Sequence, residues 1–269
     1  MKGIYRAIAY FVLYFGVTMI LQMLLSIVFM VIGLTNGLNE KTLIMEFANN
    51  NVLGMTVISS ILTIFVLYLV FKLRKKQVKQ EWKLNRFKVK NVVLASVIAF
   101  SFSALFALCT YNISMGNSLM ISKSVEFYNG KIPLFGTIMM VVNLLVITPI
   151  TEEIALRGIV YTRVEKTTNA VTAIIVSSIL FGLMHFMAGG IVLVIGATLM
   201  ALVFGYIFYK FNSLWVCIIA HAVANLPDFI LYNKSDISSG VFCALVIFFV
   251  CMFIVGVCVI HKTTKNNYE

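Results

Sequence analysis

The stretch Thr151-Glu152-Glu153-Ile154-Ala155-Leu156-Arg157 follows a long apolar run, Leu134 to Ile150. It places three ionisable side chains within six residues, at the end of a segment that reads as a membrane helix. A charge at the centre of such a helix costs roughly 2.5–3.5 kcal/mol on insertion scales, so an intramembrane ionisable residue is a functional candidate by default. The first expectation is therefore a polar site inside a membrane protein.

The composition of the whole chain agrees with that expectation. Of its 269 residues, 61% are hydrophobic and 12% are charged, and the mean hydropathy is +1.00. A soluble domain of this length needs more polar surface, and unbroken apolar runs are not the short alternating segments of a membrane β-barrel. We therefore predict an all-α fold: a polytopic membrane helix bundle with about eight transmembrane helices, forming one integral-membrane domain over residues 1–269.

Eight apolar runs mark the predicted spans. The first three cover approximately residues 7–34, 52–71 and 92–113, and the fourth begins near residue 133 and carries the stretch 151–157. The last four cover approximately residues 170–186, 191–209, 214–231 and 241–260. Residues 133–228 hold the polar groups within these runs, so we predict that they form the catalytic core. Ala197, Ala201 and Gly205 add a face of small residues at intervals of four, which favours close helix packing.

The distribution of basic residues predicts the orientation. With eight spans, 17 of the 21 Lys and Arg residues lie on one side and 4 on the other. By the positive-inside rule the richer side is cytoplasmic, so a multi-pass protein with both termini in the cytoplasm is expected. This placement also accounts for the net charge of +11, and no nucleic-acid partner is predicted.

The most basic loop lies between the second and third spans, at residues 72–91. It holds nine Lys or Arg residues against Glu81 alone, with Trp82, Leu84, Phe87 and Val89 between them. One interpretation is a segment that binds anionic lipid headgroups, each basic residue contributing about 1 kcal/mol near the surface. The other is an ordinary cytoplasmic loop.

Three groups of polar residues lie inside the later spans: Glu152, Glu153 and Arg157; His185, four residues after Phe181; and His221 with Asn225. Glu153 and Arg157 are four residues apart with the acid first, the favoured order for a helical ion pair. Glu152 points about 100° away, which leaves it facing a cavity. His221 and Asn225 share one helix face by the same spacing.

Helix length and two prolines test whether these groups can meet. Counting residues from the turn at 166–169 brings Glu152 and His221 to compatible depths, whereas His185 fits only if its turn projects outward or its helix is tilted. Pro149 and Pro227 flank the polar groups, and each removes a helix hydrogen bond. Irregular backbone within a membrane is tolerated where it lines a cavity, so both prolines favour one.

A carboxylate, two imidazoles and an amide are the groups that activate water. In one mechanism Glu152 is the general base, His185 orients the water or transfers its proton, and His221 with Asn225 stabilises the oxyanion. In the other, Glu152, His185 and His221 bind a divalent metal such as zinc, leaving one coordination position open. A third interpretation is a polar network that only holds helices together, worth about 0.6 kcal/mol per hydrogen bond.

In these residues the chain resembles the CPBP intramembrane proteases, the CAAX protease, bacteriocin-processing or Abi family. The three motifs appear in order as Glu152-Glu153-x-x-x-Arg157, Phe181-x-x-x-His185 and His221-x-x-x-Asn225. The resemblance covers about Pro133 to Asp228. It implies an eight-helix fold with a cavity open to the cytoplasm and the membrane.

The same resemblance implies roles and an activity. Glu152 with His185 corresponds to the activating pair, Glu153 and Arg157 to the supporting pair, and His221 with Asn225 to the oxyanion donors. The expected enzyme is a hydrolase, an intramembrane endopeptidase acting on a peptide or membrane protein, and the Lys-, Asn- and Ile-rich composition suggests a bacterial one. The alternatives are a non-catalytic bacteriocin self-immunity or regulatory scaffold protein on the same fold, and a transporter, which would carry polar linings along whole spans.

Overall fold

The computed structural model describes residues 2–37, 51–113, 134–227 and 238–263, which are mostly helical and include no β-strand. The all-α fold and the multi-pass helical architecture are thereby confirmed. The helices are α1 Lys2–Thr35, α2 Val52–Leu73, α3 Val78–Glu81, α4 Val89–Ile113, α5 Leu134–Glu165, α6 Ala170–Met184, α7 Phe186–Phe211, α8 Leu214–Ala224 and α9 Ser239–Thr263.

Six of these helices are long and apolar enough to cross a membrane, namely α1, α2, α4, α5, α9 and the part of α7 from Gly190. The other two predicted spans are shorter in the structure: α6 has 15 residues and α8 has 11. At 1.5 Å per residue they extend roughly 22 Å and 16 Å, less than the ~30 Å of a bilayer core. The number of eight spans stays a prediction. The predicted end of the seventh span at Leu231, like most of the loops at 35–51 and 114–131, lies outside the described residues.

The long helix α5 is central and irregular. Two π-helical segments interrupt it, at Asn143–Ile147 and Ile154–Tyr161, with an α-helical piece, Thr148–Glu153, between them. Such segments are frequent at functional sites. Parts of α5 pack against α1, α2, α6, α7 and α8, so the two glutamates lie where most of the bundle meets.

The basic loop is folded onto one end of the bundle. Trp82 is buried against Phe71 and lies over Gly158, where a Cβ would come within 3.4 Å of its side chain. The Leu214 N–H donates to the Lys83 carbonyl, and neighbouring side-chain bonds join Asn85 to the α7–α8 turn. The loop therefore holds the ends of α5 and α8 in register.

Glu81 organises the ion pairs of this loop. Its carboxylate lies 2.9 Å from Arg163, accepts a hydrogen bond of 3.1 Å from Lys166 and lies 4.0 Å from Lys76. Partial burial raises the pKa of the Glu81 carboxyl, but the hydrogen bond and the three cations outweigh it and lower this pKa below its ordinary value. Lys83 pairs separately with Glu165 at 2.7 Å.

The two chain ends approach this same end of the bundle. A Cβ on Gly3 would overlap the side chain of Thr167 in the α5–α6 turn, so the start of α1 touches that turn. On α9, Gly256 lies against Ile98 and Phe253 against Phe102 of α4, so the helices are antiparallel and α9 ends near the start of α4. The start of α1, the end of α9 and the basic loop thus share one end of the bundle.

Candidate active site

The two adjacent glutamates have different surroundings. Both are buried, with exposed fractions of 8% for Glu152 and 0% for Glu153. Glu153 accepts a 2.9 Å hydrogen bond from Arg157, whereas the Oε2 atom of Glu152 has no hydrogen-bond partner and lines a cavity. The predicted geometry, one carboxylate paired and its neighbour facing a cavity, is present.

Arg157 is fully buried, with an exposed fraction of 0%. One Nη atom donates to Glu153, and the other donates across to the Ala201 carbonyl on α7 at 2.9 Å. Its guanidinium also lies over the rings of Phe181 and Phe204, at 4.9 and 5.3 Å. A planar group with several donors suits this position, and through it α5, α6 and α7 are joined beside the glutamates.

His221 bridges the two glutamates. Its Nδ1 lies 2.9 Å from Glu153 Oε1, the oxygen that Arg157 also contacts, and its Nε2 lies 3.8 Å from Glu152 Oε2. Because the ionised Glu153 accepts, Nδ1 carries the proton and Nε2 faces the cavity. The predicted oxyanion role for His221 then requires the imidazolium, whose Nε2–H can donate.

His185 approaches Glu152 from the opposite side. It occupies the turn after α6, where its Nδ1 donates to the Phe181 carbonyl at 2.8 Å and its Nε2 lies 3.9 Å from Glu152 Oε1. Because α6 ends at Met184, the histidine reaches the depth of Glu152, which the length of a full span did not allow. Phe181 also packs on this imidazole, with ring centroids 4.8 Å apart, which gives the F-x-x-x-H spacing a structural reason.

The side chain of Asn225 is hydrogen-bonded to the backbone of α5. Its Nδ2 donates to the Leu144 carbonyl at 2.7 Å. An amide nitrogen has two hydrogens, and Asn225 lines the cavity, so one donor can still reach a bound group. The predicted oxyanion role therefore coexists with a bond to the protein that the sequence did not predict.

The cavity between these residues has a volume of about 110 Å³, counted as space for the centres of water molecules. Glu152, His185, His221 and Asn225 form its polar side, and aromatic and aliphatic side chains, such as Phe106, Leu193 and Met200, form most of the rest. Since one water needs only ~10–15 Å³ on this measure, the space admits several waters or part of a peptide.

The metal alternative requires Glu152, His185 and His221 to converge. Their carboxylate-to-imidazole separations are 3.9 and 3.8 Å, and in the part of the chain that the structure describes, no three His, Cys, Asp or Glu side chains are arranged to hold a metal ion. The described side chains therefore do not form a ready-made zinc site.

A family model described as "Rce1-like: Type II CAAX prenyl endopeptidase Rce1-like" matches residues 134–227. Over these residues, about a third of its length, the chain is similar to the Rce1-like CAAX endopeptidases. The predicted resemblance to the CAAX protease family is confirmed, and the match supports a protease-like function in the membrane. No curated protein and no solved structure matches the chain.

The matched segment contains all six predicted site residues, but other helices complete the cavity. Ser103 and Phe106 of α4 line it, and Ser103 donates to the Ala224 carbonyl at 2.5 Å. From α1, the buried Tyr14 lies beside Thr151 and near Glu152. Nothing in the α4 sequence marks its two residues, since a serine or phenylalanine in a membrane helix is unremarkable on its own.

The sequence of α1 does contain a pattern that predicts which of its faces packs inside the bundle. Every fourth residue is polar or amphipathic, at Tyr10, Tyr14, Thr18, Gln22 and Ser26, which places these residues on one helix face. In the structure Thr18 contacts Thr63 at 3.2 Å and Gln22 donates to Thr56 at 3.1 Å. This face joins α1 to α2 and directs Tyr14 towards the site.

Proposed function

We propose that the chain is an intramembrane endopeptidase in which Glu152 activates water for attack on a peptide bond. The observation that carries the proposal is the convergence of one buried carboxylate and two imidazoles on a single cavity, with Glu152 Oε2 left without a partner. Leaving a buried carboxylate oxygen unpaired is costly, and a bound water is the group that general-base catalysis requires there.

The proposed reaction assigns each proton. Glu152 removes a proton from water while the water oxygen bonds to the peptide carbonyl carbon. The negative charge on the carbonyl oxygen is stabilised by the imidazolium Nε2–H of His221 and the second amide hydrogen of Asn225, preorganised donors of the oxyanion-hole type. When the carbon–nitrogen bond breaks, the proton held by Glu152 passes to the leaving amine, with His185 Nε2 placed to relay it.

Glu153 and Arg157 position these groups without touching substrate. Glu153 holds the Nδ1 proton of His221 and thereby selects the tautomer and ring orientation, the part that a buried aspartate plays in catalytic triads. Arg157 donates to Glu153 and is itself held by the Ala201 carbonyl on α7, which fixes the direction of the carboxylate. Both are inaccessible, at 0% exposure.

The proposed substrate is a peptide or membrane protein of a bacterial cell, cut near the end of the bundle that carries the basic loop, which we propose is cytoplasmic. The first rival, a non-catalytic immunity or regulatory scaffold, has no use for a carboxylate and two imidazoles that converge on one cavity. The second rival, a transporter, would need polar side chains along a path, whereas those lining the cavity cluster at one level.

The test compares membranes of cells that carry the wild-type chain or Glu152→Gln. Peptides that accumulate uncut only with the variant are substrates, and the purified wild-type protein should cleave them in detergent. Glu81→Gln serves as the control and should leave cleavage intact, because Glu81 lies in the basic loop, pairs with Arg163 and does not line the cavity. If Glu152→Gln keeps full activity, the proposal fails. Metal analysis of the purified protein tests the zinc alternative directly.

We further propose that the basic loop binds anionic phospholipid headgroups. The structure divides its nine cations into those with partners in the protein and those that face outward. Lys76 and Lys83 pair with Glu81 and Glu165, and Arg74 donates to the Tyr10 hydroxyl. The outward-facing ones, all exposed and without an acidic partner among the described residues, are Lys72, Lys75, Lys79, Arg86, Lys88 and Lys90. Exposed Phe87 and Val89 lie among them, which suits an interface.

Replacing the six outward cations by glutamine should strongly reduce the phosphatidylglycerol retained by the purified protein, measured by native mass spectrometry. Lys83→Gln is the matched control, because its charge is directed to Glu165, and it should retain the lipid. Equal retention in both variants would contradict the proposal.

A further inference from the structure

The helix that carries the two glutamates has a break in its hydrogen bonding just before them. In the π-helical segment Asn143–Ile147, the Thr148 N–H donates to the Asn143 carbonyl five residues back. The next donor in that register is residue 149, which would donate to Leu144. Residue 149 is Pro149, which has no N–H, so α5 itself cannot supply that bond.

The missing donor comes from another helix. Asn225 Nδ2 donates to the Leu144 carbonyl at 2.7 Å. Asn225 is well placed to do so because it caps α8, where its own N–H donates to the His221 carbonyl at 3.1 Å. A buried carbonyl without a donor would cost free energy, so a side-chain amide here replaces a backbone bond.

This bond connects the two halves of the site. Pro149 lies three residues before Glu152 on α5, and Asn225 lies four residues after His221 on α8. A change in the distance between Leu144 and Asn225 would therefore change how Glu152 faces His221, at present 3.8 Å apart. Misplacement by about 1 Å can cost ~10²-fold in rate.

We propose that Asn225, besides its proposed oxyanion contact, has a positioning role: it supplies the hydrogen bond Pro149 cannot make, and so sets the distance between the Glu152 helix and the His221 helix. This inference rests on the proposed function for its catalytic consequence, but the complementarity of Pro149 and Asn225 concerns packing and can be measured without an assay of activity. It also explains why a proline can be accommodated so close to Glu152 at membrane depth.

The test is a double-mutant cycle with Asn225→Ala and Pro149→Ala. Asn225→Ala should lower both the Tm in detergent and kcat, because Leu144 loses its donor. Pro149→Ala restores a backbone N–H at residue 149. The double variant should therefore retain about 3- to 10-fold more activity than independent effects predict, and its Tm loss should be smaller than the sum of the single losses.

The matched control is Ser103→Ala combined with Pro149→Ala. Ser103 also bonds to the end of α8, through the Ala224 carbonyl, but it has no connection with the Leu144 carbonyl, so its effects should add to those of Pro149→Ala. If Asn225 and Pro149 also act additively in Tm, the inference is overturned. Should the Pro149 variant not fold, Asn225→Asp decides. It turns an oxygen towards the Leu144 carbonyl and should lower Tm more than Asn225→Ala does, and an equal or smaller loss refutes the inference.

These outcomes separate the inference from the proposed function. If the wild-type protein and Glu152→Gln have the same activity, the endopeptidase proposal fails, and the Tm cycle still reports whether Asn225 and Pro149 are coupled. If cleavage depends on Glu152 but the cycle is additive in both Tm and kcat, the inference alone fails.

Discussion

Replacing each of the two adjacent glutamates by glutamine should have opposite consequences. The substitutions are identical in chemistry and one residue apart, and both side chains are buried. Glu152→Gln should remove activity and spare stability, whereas Glu153→Gln should reduce stability first. Each variant is thus the control for the other.

The loss of stability expected for Glu153→Gln follows from the partners of Glu153. Its Oε1 accepts from Arg157 and from His221, each at 2.9 Å, and Arg157 is 0% exposed. Removing the carboxylate charge leaves a buried guanidinium without its counterion, which costs ~3–5 kcal/mol. For a protein of this size that corresponds to a fall in Tm on the order of 10 °C.

The effects expected of Glu152→Gln on Tm and kcat follow from the absence of hydrogen-bond partners at Glu152 Oε2. Its closest nitrogen atoms are at 3.8 and 3.9 Å, beyond hydrogen-bond distance, and its Oε2 is unpaired. A neutral amide of the same shape avoids burying a charge, so Tm should be unchanged or higher. Loss of the general base should lower kcat by about 10²–10⁴-fold.

The assay combines thermal unfolding of the purified protein in detergent with cleavage of a peptide that accumulates in Glu152→Gln cells. The reasoning would be refuted if Glu152→Gln unfolded at as low a temperature as Glu153→Gln. It would equally be refuted if Glu153→Gln kept the wild-type Tm, since the buried charge of Arg157 would then have found compensation elsewhere.

Three further outcomes follow from the fold. The folded-state pKa of Glu81 lies below its unfolded value of about 4.3, so its ion pairs contribute stability above that pH and lose it as pH falls through the folded pKa. The Tm difference between wild type and Glu81→Gln should therefore be constant near pH 7 and shrink as the pH falls below about 4.3. Gly182→Ala should lower Tm and activity, because its Cβ would lie 2.7 Å from the Val194 carbonyl of α7, whereas Gly16→Ala, with no atom within 4 Å, should be neutral or slightly stabilising. Phe106→Ala should enlarge the cavity on its α4 side, so cleavage should shift towards bulkier apolar residues in a comparison of peptide substrates.

How far the sequence predicts the site can be judged from single contacts. The Glu153–Arg157 pair and the separate direction of Glu152 follow from helical spacing, and both are present in the structure. The bond from His221 to Glu153 joins residues 68 positions apart, and no local pattern contains it. The bond from Asn225 to Leu144 is longer in range still and depends on a π-helical register, which residue spacing in a regular helix does not predict.

The basic loop also has contacts that the sequence does not predict. Its nine cations and its place at one end of the bundle were predictable from composition and the alternation of spans. Trp82, expected with the interfacial residues, is 4% exposed and packs inside the bundle. Lys83 is turned inward to Glu165. Whether a cation or an aromatic residue faces lipid headgroups or the protein depends on the neighbours that the folded loop meets.

The sequence by itself determined that this chain is a helical membrane protein with an Rce1-like group of glutamates, histidines and an asparagine, because apolar run length and helical periodicity are local properties. Tertiary structure alone decided which atoms meet. Helices α5, α6 and α8 are separated in the chain and come together only through packing, and that packing sets Nδ1 of each histidine against an acceptor and leaves both Nε2 atoms facing Glu152. The chemistry depends on that choice of nitrogen, which is made by contacts between helices and not by residue spacing.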